Sequence, residues 1–222
     1  MRIIVQNYTK KIKNNVVLDN VSVELQSGFV YGLKGVNGSG KTMLMRAICG
    51  LIYPTSGKVI IDDKVVGKDI SFPESVGILI ENPAFLKNYT GFGNLKLLAE
   101  IQNKIDDSTI RQVLDKVGLD PDDKRVYRKY SLGMKQKLGI AAAVMESPEI
   151  IILDEPLNAL DVEGVNRVKE IIAEQKEKGA LIIVACHNSN ELMEISDYII
   201  SIENGSIVSV DNLQSGDDND EK

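Results

Sequence analysis

The chain has 222 residues, with one histidine, two cysteines, no tryptophan, 43% apolar and 26% charged residues, and a formal net charge of −6 at pH 7. These values exclude a disordered, collagenous or disulfide-scaffold protein, and they allow one large domain, or a core with one insertion, around a sizeable interior. No apolar run approaches the roughly 18 to 20 residues of a spanning helix, and the acidic balance argues against a nucleic-acid partner, which calls for a basic face.

Met1-Arg2-Ile3-Ile4-Val5-Gln6 has no basic segment followed by an apolar stretch and a small-residue cleavage site, so no secretory signal is expected there. Strand patterns run over Arg2 to Gln6, Val21 to Leu25 and Phe29 to Leu33, the last leading into a glycine-rich turn. Met43, Leu44, Ala47, Ile48 and Leu51 then recur at helical spacing, which predicts a helix over Lys41 to Leu51 and opens a βαβ unit. Further strands are predicted over Lys58 to Ile61 and Val76 to Ile80.

From about 85 to 145 the pattern is helical, over Asn94 to Gln102, Ser108 to Val117 and Leu138 to Met145, with Ser108 as the expected N-cap of the second helix and Gly118 as its end. Ile150 to Leu153 and Leu181 to Ala185 are continuous apolar runs, as a parallel sheet buried on both faces requires, and a helix from Val162 to about Lys178 separates them. Cys49 and Cys186 sit beside apolar residues without a CxxC partner, so both are expected as reduced, buried thiols of a cytoplasmic protein. Ser215 to Lys222, with Asp217, Asp218, Asp220 and Glu221, is expected as a solvated acidic tail.

Gly35-Val36-Asn37-Gly38-Ser39-Gly40-Lys41-Thr42 matches G-x-x-x-x-G-K-[ST] in full, with the preceding strand and following helix that the motif demands. Its glycines let backbone N–H groups wrap a phosphate at a helix start, while Lys41 reaches the β/γ-phosphates and Thr42 can ligate Mg²⁺. By itself the motif leaves kinase, GTPase, recombinase and transporter readings open. Asp154 and Glu155 narrow them, because they close a buried strand at the sheet edge where ligands bind in such folds. Asp154 is placed to hold Mg²⁺ through water, and Glu155 to polarise a water for γ-phosphate cleavage. His187 ends the next strand on the same edge, where it can bond the γ-phosphate.

With these residues in place the chain resembles the nucleotide-binding subunits of ATP-binding cassette (ABC) transporters, to about Val210. Tyr130-Ser131-Leu132-Gly133-Met134-Lys135-Gln136 resembles a variant of the family's L-S-G-G-Q signature, retaining Ser131 and Gly133. Asn158-Ala159-Leu160-Asp161 resembles the family's D-loop and His187 its switch histidine, and all five motifs stand in family order. The resemblance implies an α/β fold: a P-loop NTPase (RecA-like) core with a mainly parallel sheet, an N-terminal antiparallel β subdomain and an inserted α-helical subdomain. One ABC domain would cover 1–214, with core 1–84 and 146–214.

The resemblance also implies a mechanism: two such domains face head to tail and sandwich ATP between the P-loop of one and the signature, Ser131 and Gly133, of the other, with Asp161 contributing. The ATP-driven dimer would power a separate membrane permease from its cytoplasmic face. Two departures stand out. Glu81 replaces the usual glutamine at the junction with the helical insertion; its carboxylate can approach Mg²⁺, or it is a structural hinge residue. With the Y-S-L-G-M-K-Q form, Glu81 resembles the subgroup that exports bacitracin and lantibiotic-type peptides. Ile12 falls where an aromatic residue usually stacks on the base, and Tyr8 lies four residues earlier, either drawn in to stack or left as a half-buried strand-end residue while aliphatic groups meet the base. The alternative function is an ABC ATPase that never meets a membrane, such as an iron–sulfur assembly ATPase. A GTPase is disfavoured, because N-K-x-D is absent.

Overall fold

The computed structural model describes residues 1–81 and 83–215, so the expected acidic tail lies, apart from Ser215, outside the described residues. In chain order the elements are β1 (Arg2–Ile12), β2 (Asn15–Gln26), β3 (Val30–Lys34), α1 (Lys41–Ile48), β4 (Ser56–Ile61), β5 (Lys64–Val65) and β6 (Val76–Leu79). Then come α2 (Gly91–Gln102), α3 (Asp107–Lys116), α4 (Leu132–Val144), β7 (Ile150–Asp154), α5 (Val162–Glu177), β8 (Leu181–Ala185), α6 (Ser189–Ile195), β9 (Tyr198–Glu203) and β10 (Ser206–Asn212). Between β6 and β7 the described chain forms three α-helices and a 3-10 turn at Tyr127–Lys129, with one antiparallel bridge between Thr90 and Val126. Among the described residues no helix is long and apolar enough to cross a membrane.

Two sheets result. The first has strand order β2-β1-β4-β5 and is antiparallel. The second has order β10-β9-β3-β8-β7-β6, parallel throughout except for the antiparallel β9–β10 pair at one edge. The continuous apolar runs of β7 and β8 are buried at every residue, as they must be when both sheet faces are covered. Alternation of side chains along a strand divides them between two cores. Ile151, Leu153, Ile182 and Val184 pack with α2, α3, α4 and α5, whereas Ile150, Ile152, Leu181 and Ile183 pack with α1 and the antiparallel sheet. Truncating one of these isoleucines to alanine costs about 2 to 5 kcal/mol, so β7, which ends in Asp154 and leads into Glu155, is among the most firmly held parts of the chain.

Several boundaries differ from those expected. β1 and β2 extend well beyond Arg2 to Gln6 and Val21 to Leu25 because bulges break their alternation: the register shifts between Val5 and Tyr8, where Asn7 adopts a φ of +46° and its amide donates to the Asn20 side chain. Tyr8 is a mid-strand core residue, 1% exposed, and its hydroxyl donates to Ile52 O at 2.9 Å, so it is not the half-buried strand-end residue expected. α1 stops at Ile48, short of Leu51. Asp106, not Ser108, caps α3: its carboxylate accepts from both the N–H and the hydroxyl of Thr109. A charged acceptor makes the stronger bond there. β9 and β10 form an antiparallel edge beyond the strands that the sequence pattern predicts. Cys49 and Cys186 are both buried and unpaired, and burial pushes each thiol up to about 12.

Candidate active site

β3 delivers the chain into the turn 35–40, which hands over to α1. A Cβ on Gly35 would lie 2.4 Å from Ile202 O and 2.5 Å from Ser39 Oγ, so only glycine fits beneath the loop. Gly40, at φ +113°, is the N-cap of α1; no side chain caps the helix and no acidic residue lies in its first turn. Ser39 is 3% exposed, and its Oγ has no hydrogen-bond partner among the described residues. Lys41 is largely buried, its Nζ donating to Gly35 O at 2.7 Å and Val36 O at 3.1 Å. Uncapped first-turn N–H groups, an unpartnered buried hydroxyl and a buried ammonium together make a cradle whose missing partner is an anion.

The parallel order β6-β7-β8 brings the acidic motif to this cradle. Asp154, 8% exposed, ends β7 opposite Ala185, and its Oδ2 accepts from Thr42 Oγ1 at 2.6 Å. Glu155 follows at φ +54°, its N–H bonded to Ala185 O at 2.9 Å. Its Oε2 accepts from the His187 backbone N–H at 3.0 Å, and His187 Nε2 stands 3.5 Å from Oε1. Burial raises the Glu155 carboxyl above the ordinary glutamate value, opposed by His187 and Lys41 and reinforced by the charge of Asp154. A carboxylate short of solvation is a stronger base than one in water, which suits it to orient and deprotonate a water.

A cleft of about 740 Å³, ample for a nucleotide, opens over these groups. Of the residues predicted from sequence, Asn37, Gly38, Gly40, Lys41, Thr42, Glu81, Asp154, Glu155 and His187 line it. Gly35, Val36 and Ser39 complete the loop without lining the cleft, Val36 being 77% exposed. Glu81, at φ +61°, accepts from Arg46 Nη2 at 2.5 Å. Ser131, Gly133 and Asp161 lie outside the cleft of their own chain: Ser131 Oγ caps α4 through Met134 N, and Asp161 Oδ1 caps α5 through Gly164 N.

Neither Tyr8 nor Ile12 borders the cleft; aliphatic Val16 and Val17 do. Sequence reasoning also missed Gln136, Asn204 and Gly205 in the lining. Asn204-Gly205 carries a local signal, the preferred pair of a two-residue hairpin, with φ +49° and +82°. Its position is a tertiary matter: Gly205 N–H donates to Ser39 O, and Gly205 O accepts from Asp19 N–H.

A phosphate loop at an uncapped helix, a buried aspartate bonded to the loop threonine and a desolvated glutamate one residue on define a P-loop nucleoside triphosphatase. Residues 18–158 match the family described as ABC transporter. The chain is 46% identical to the uncharacterized ABC transporter ATP-binding protein YybJ of Bacillus subtilis (strain 168), over 90% of this chain and 92% of that one. It is 37% identical to the lantibiotic transport ATP-binding protein SrtF of Streptococcus pyogenes, over 92% and 88% of the two chains. It is also 36% identical to the bacitracin transport ATP-binding protein BcrA of Enterococcus faecalis, over 94% and 68%. The fold superposes on an ATP-binding subunit of an ABC transporter with a TM-score of 0.86, at 24% identity over 96% and 91% of the chains. It superposes on a dimeric ATP-binding cassette bound to ADP and Pi with a TM-score of 0.85, at 22% identity over 95% and 98%. The chain belongs to the ABC transporter family, as one of its ATP-binding, ATP-hydrolysing subunits.

Proposed function

We propose that this subunit drives export of antimicrobial peptides of the bacitracin or lantibiotic kind through a separate membrane permease, by forming an ATP-bound dimer on the inner face of the membrane. The observation that carries this reading is the division of the motifs: Lys41, Asp154, Glu155 and His187 share one cleft, while Ser131 and Gly133 stand outside it, free to complete the cleft of a second copy or a paralogue. The core is 1–84 and 146–214, and 85–145 is the helical insertion that meets the permease. The transport names of the relatives, Glu81 and the Tyr130 to Gln136 signature form support the peptide-export reading. Nothing among these relatives favours the membrane-free alternative.

In the reaction, turn 35–40 and the start of α1 bind the phosphates and Lys41 spans the β/γ oxygens. Glu155 takes the proton of a water aligned with the γ-phosphorus, and His187 bonds the γ-phosphate. Val16 and Val17 meet the adenine by aliphatic contact, which discriminates weakly between bases. Thr42 and Asp154, neighbouring oxygen donors, fit Mg²⁺, and Glu81, which lines the same cleft, is the third candidate ligand, held by Arg46 in this structure. Such a cation is bound largely through phosphates and water. When bound, it neutralises charge on the phosphate oxygens.

Glu155→Gln should bind ATP, cease turnover and accumulate as a dimer that co-purifies with a polytopic membrane protein from its native membranes. Retained hydrolysis would remove Glu155 as the base, and co-purification with a soluble scaffold instead would remove the permease.

A further inference from the structure

Gln136 lies in the second turn of α4, yet it borders the cleft. It is 8% exposed, and its Nε2 donates to the backbone carbonyl of Glu155 at 2.8 Å. Glu155 occupies the left-handed region, which a non-glycine residue holds only when its surroundings over-determine it. Its peptide groups are anchored on two different bodies. The N–H is tied to Ala185 in the sheet, while the carbonyl accepts from Gln136 and, at a longer 3.3 Å, from Asn158 N–H. The first turn of α4 also presses on the segment that follows: a Cβ on Gly133 would lie 2.7 Å from Ala159 O, and Ala159 itself sits at φ +62°.

Resting on the assignment of Glu155 as the base, we propose that Gln136 is a positioning residue whose carboxamide fixes the Glu155 peptide and so aims its carboxylate, making hydrolysis depend on where the signature end of α4 sits. A neutral donor suits the task. It grips the carbonyl without adding a charge that would pair with the neighbouring carboxylate and pull it from the water. A shift of this end of α4 against the sheet would reach the Glu155 backbone through one hydrogen bond, with no change at the P-loop.

The test is Gln136→Met in the full chain, which keeps length and volume and removes the donor. The expected result is a fall in kcat of about ten- to a hundredfold with KM for ATP nearly unchanged, because misplacing a catalytic group lowers rate without lowering affinity. ATP affinity measured in the Glu155→Gln background should likewise be unaltered by Gln136→Met. Gln136→Lys, which restores a donor but brings the charge that would pair with the neighbouring carboxylate, should recover little of the rate. An unchanged kcat in Gln136→Met would overturn the proposal, as would a joint loss of kcat, ATP affinity and thermal stability. Full turnover by Glu155→Gln alone would instead strike the assignment of the base, on which the proposal rests.

Discussion

The N-terminus of α1 and the N-terminus of α4 both present backbone N–H groups at positions that sequence alone marks for nucleotide, but only one of them is complete within its own chain. α4 is capped by Ser131, and α2, α3, α5 and α6 are capped by Thr90, Asp106, Asp161 and Asn188. α1 has Gly40 and no capping side chain. Glycine at the cap leaves a helix short of a few tenths of a kcal/mol, and an anion near the positive end supplies about 0.3 to 1 kcal/mol. On the proposed reading the bare end takes the phosphate, while the capped end, stable without one, adds contacts to an anion held elsewhere.

Three measurements would break or sharpen this contrast. The largest effect is expected at α1: ATP at a hundred times its Kd should stabilise the chain by about 2.7 kcal/mol, and Lys41→Ala should abolish that gain in a thermal melt, whereas Ser131→Ala should leave it intact. At α4, Ser131→Ala should cost about 1 kcal/mol without ATP, read as a lower denaturant midpoint at unchanged slope. If Ser131→Ala removed the ATP shift and spared stability, the two ends would have exchanged roles. The smallest effect is in pH. Because burial raises the Glu155 carboxyl above its ordinary 4.5, its proton persists to higher pH in the folded chain, and base function is lost as pH falls through that raised value. The acid limb of kcat should thus have its midpoint above 4.5. The sign reverses for stability: the folded chain holds this proton more tightly, so the contribution is present at low pH and lost as pH rises. Without ATP, Glu155→Gln should therefore match wild type near pH 4 and be slightly the more stable at pH 7.

Those parts of the molecule governed by nearest neighbours were legible. The eight residues from Gly35 to Thr42 fix their own turn, and the runs ending at Leu153 and Ala185 announce strands buried on both faces. Pattern reading failed where local rules compete or where distant segments meet. Asn7 and Asn20, in left-handed conformations, interrupt the alternation of β1 and β2 and hid half of each strand. Asp106 and Ser108 are both plausible caps, and only the geometry toward Thr109 chooses between them. The reach of Gln136 to the Glu155 carbonyl spans two elements packed in three dimensions, so nothing in the spacing of α4 could show it. The burial of Tyr8 against Ile52 is equally non-local.

The turn at Asn204-Gly205 stitches Ser39 of the phosphate loop to Asp19 of β2. Asp19 and Ser39 lie early in the sequence and Gly205 near the end of the described residues, so their union is a long-range closure. During synthesis the phosphate loop emerges early, but the backbone that buttresses it is among the last described segments to leave the ribosome. Loop closures of this span are slow relative to local ordering. The phosphate loop should therefore form its own turn before it gains this backing, which closes only when β9 and β10 have folded.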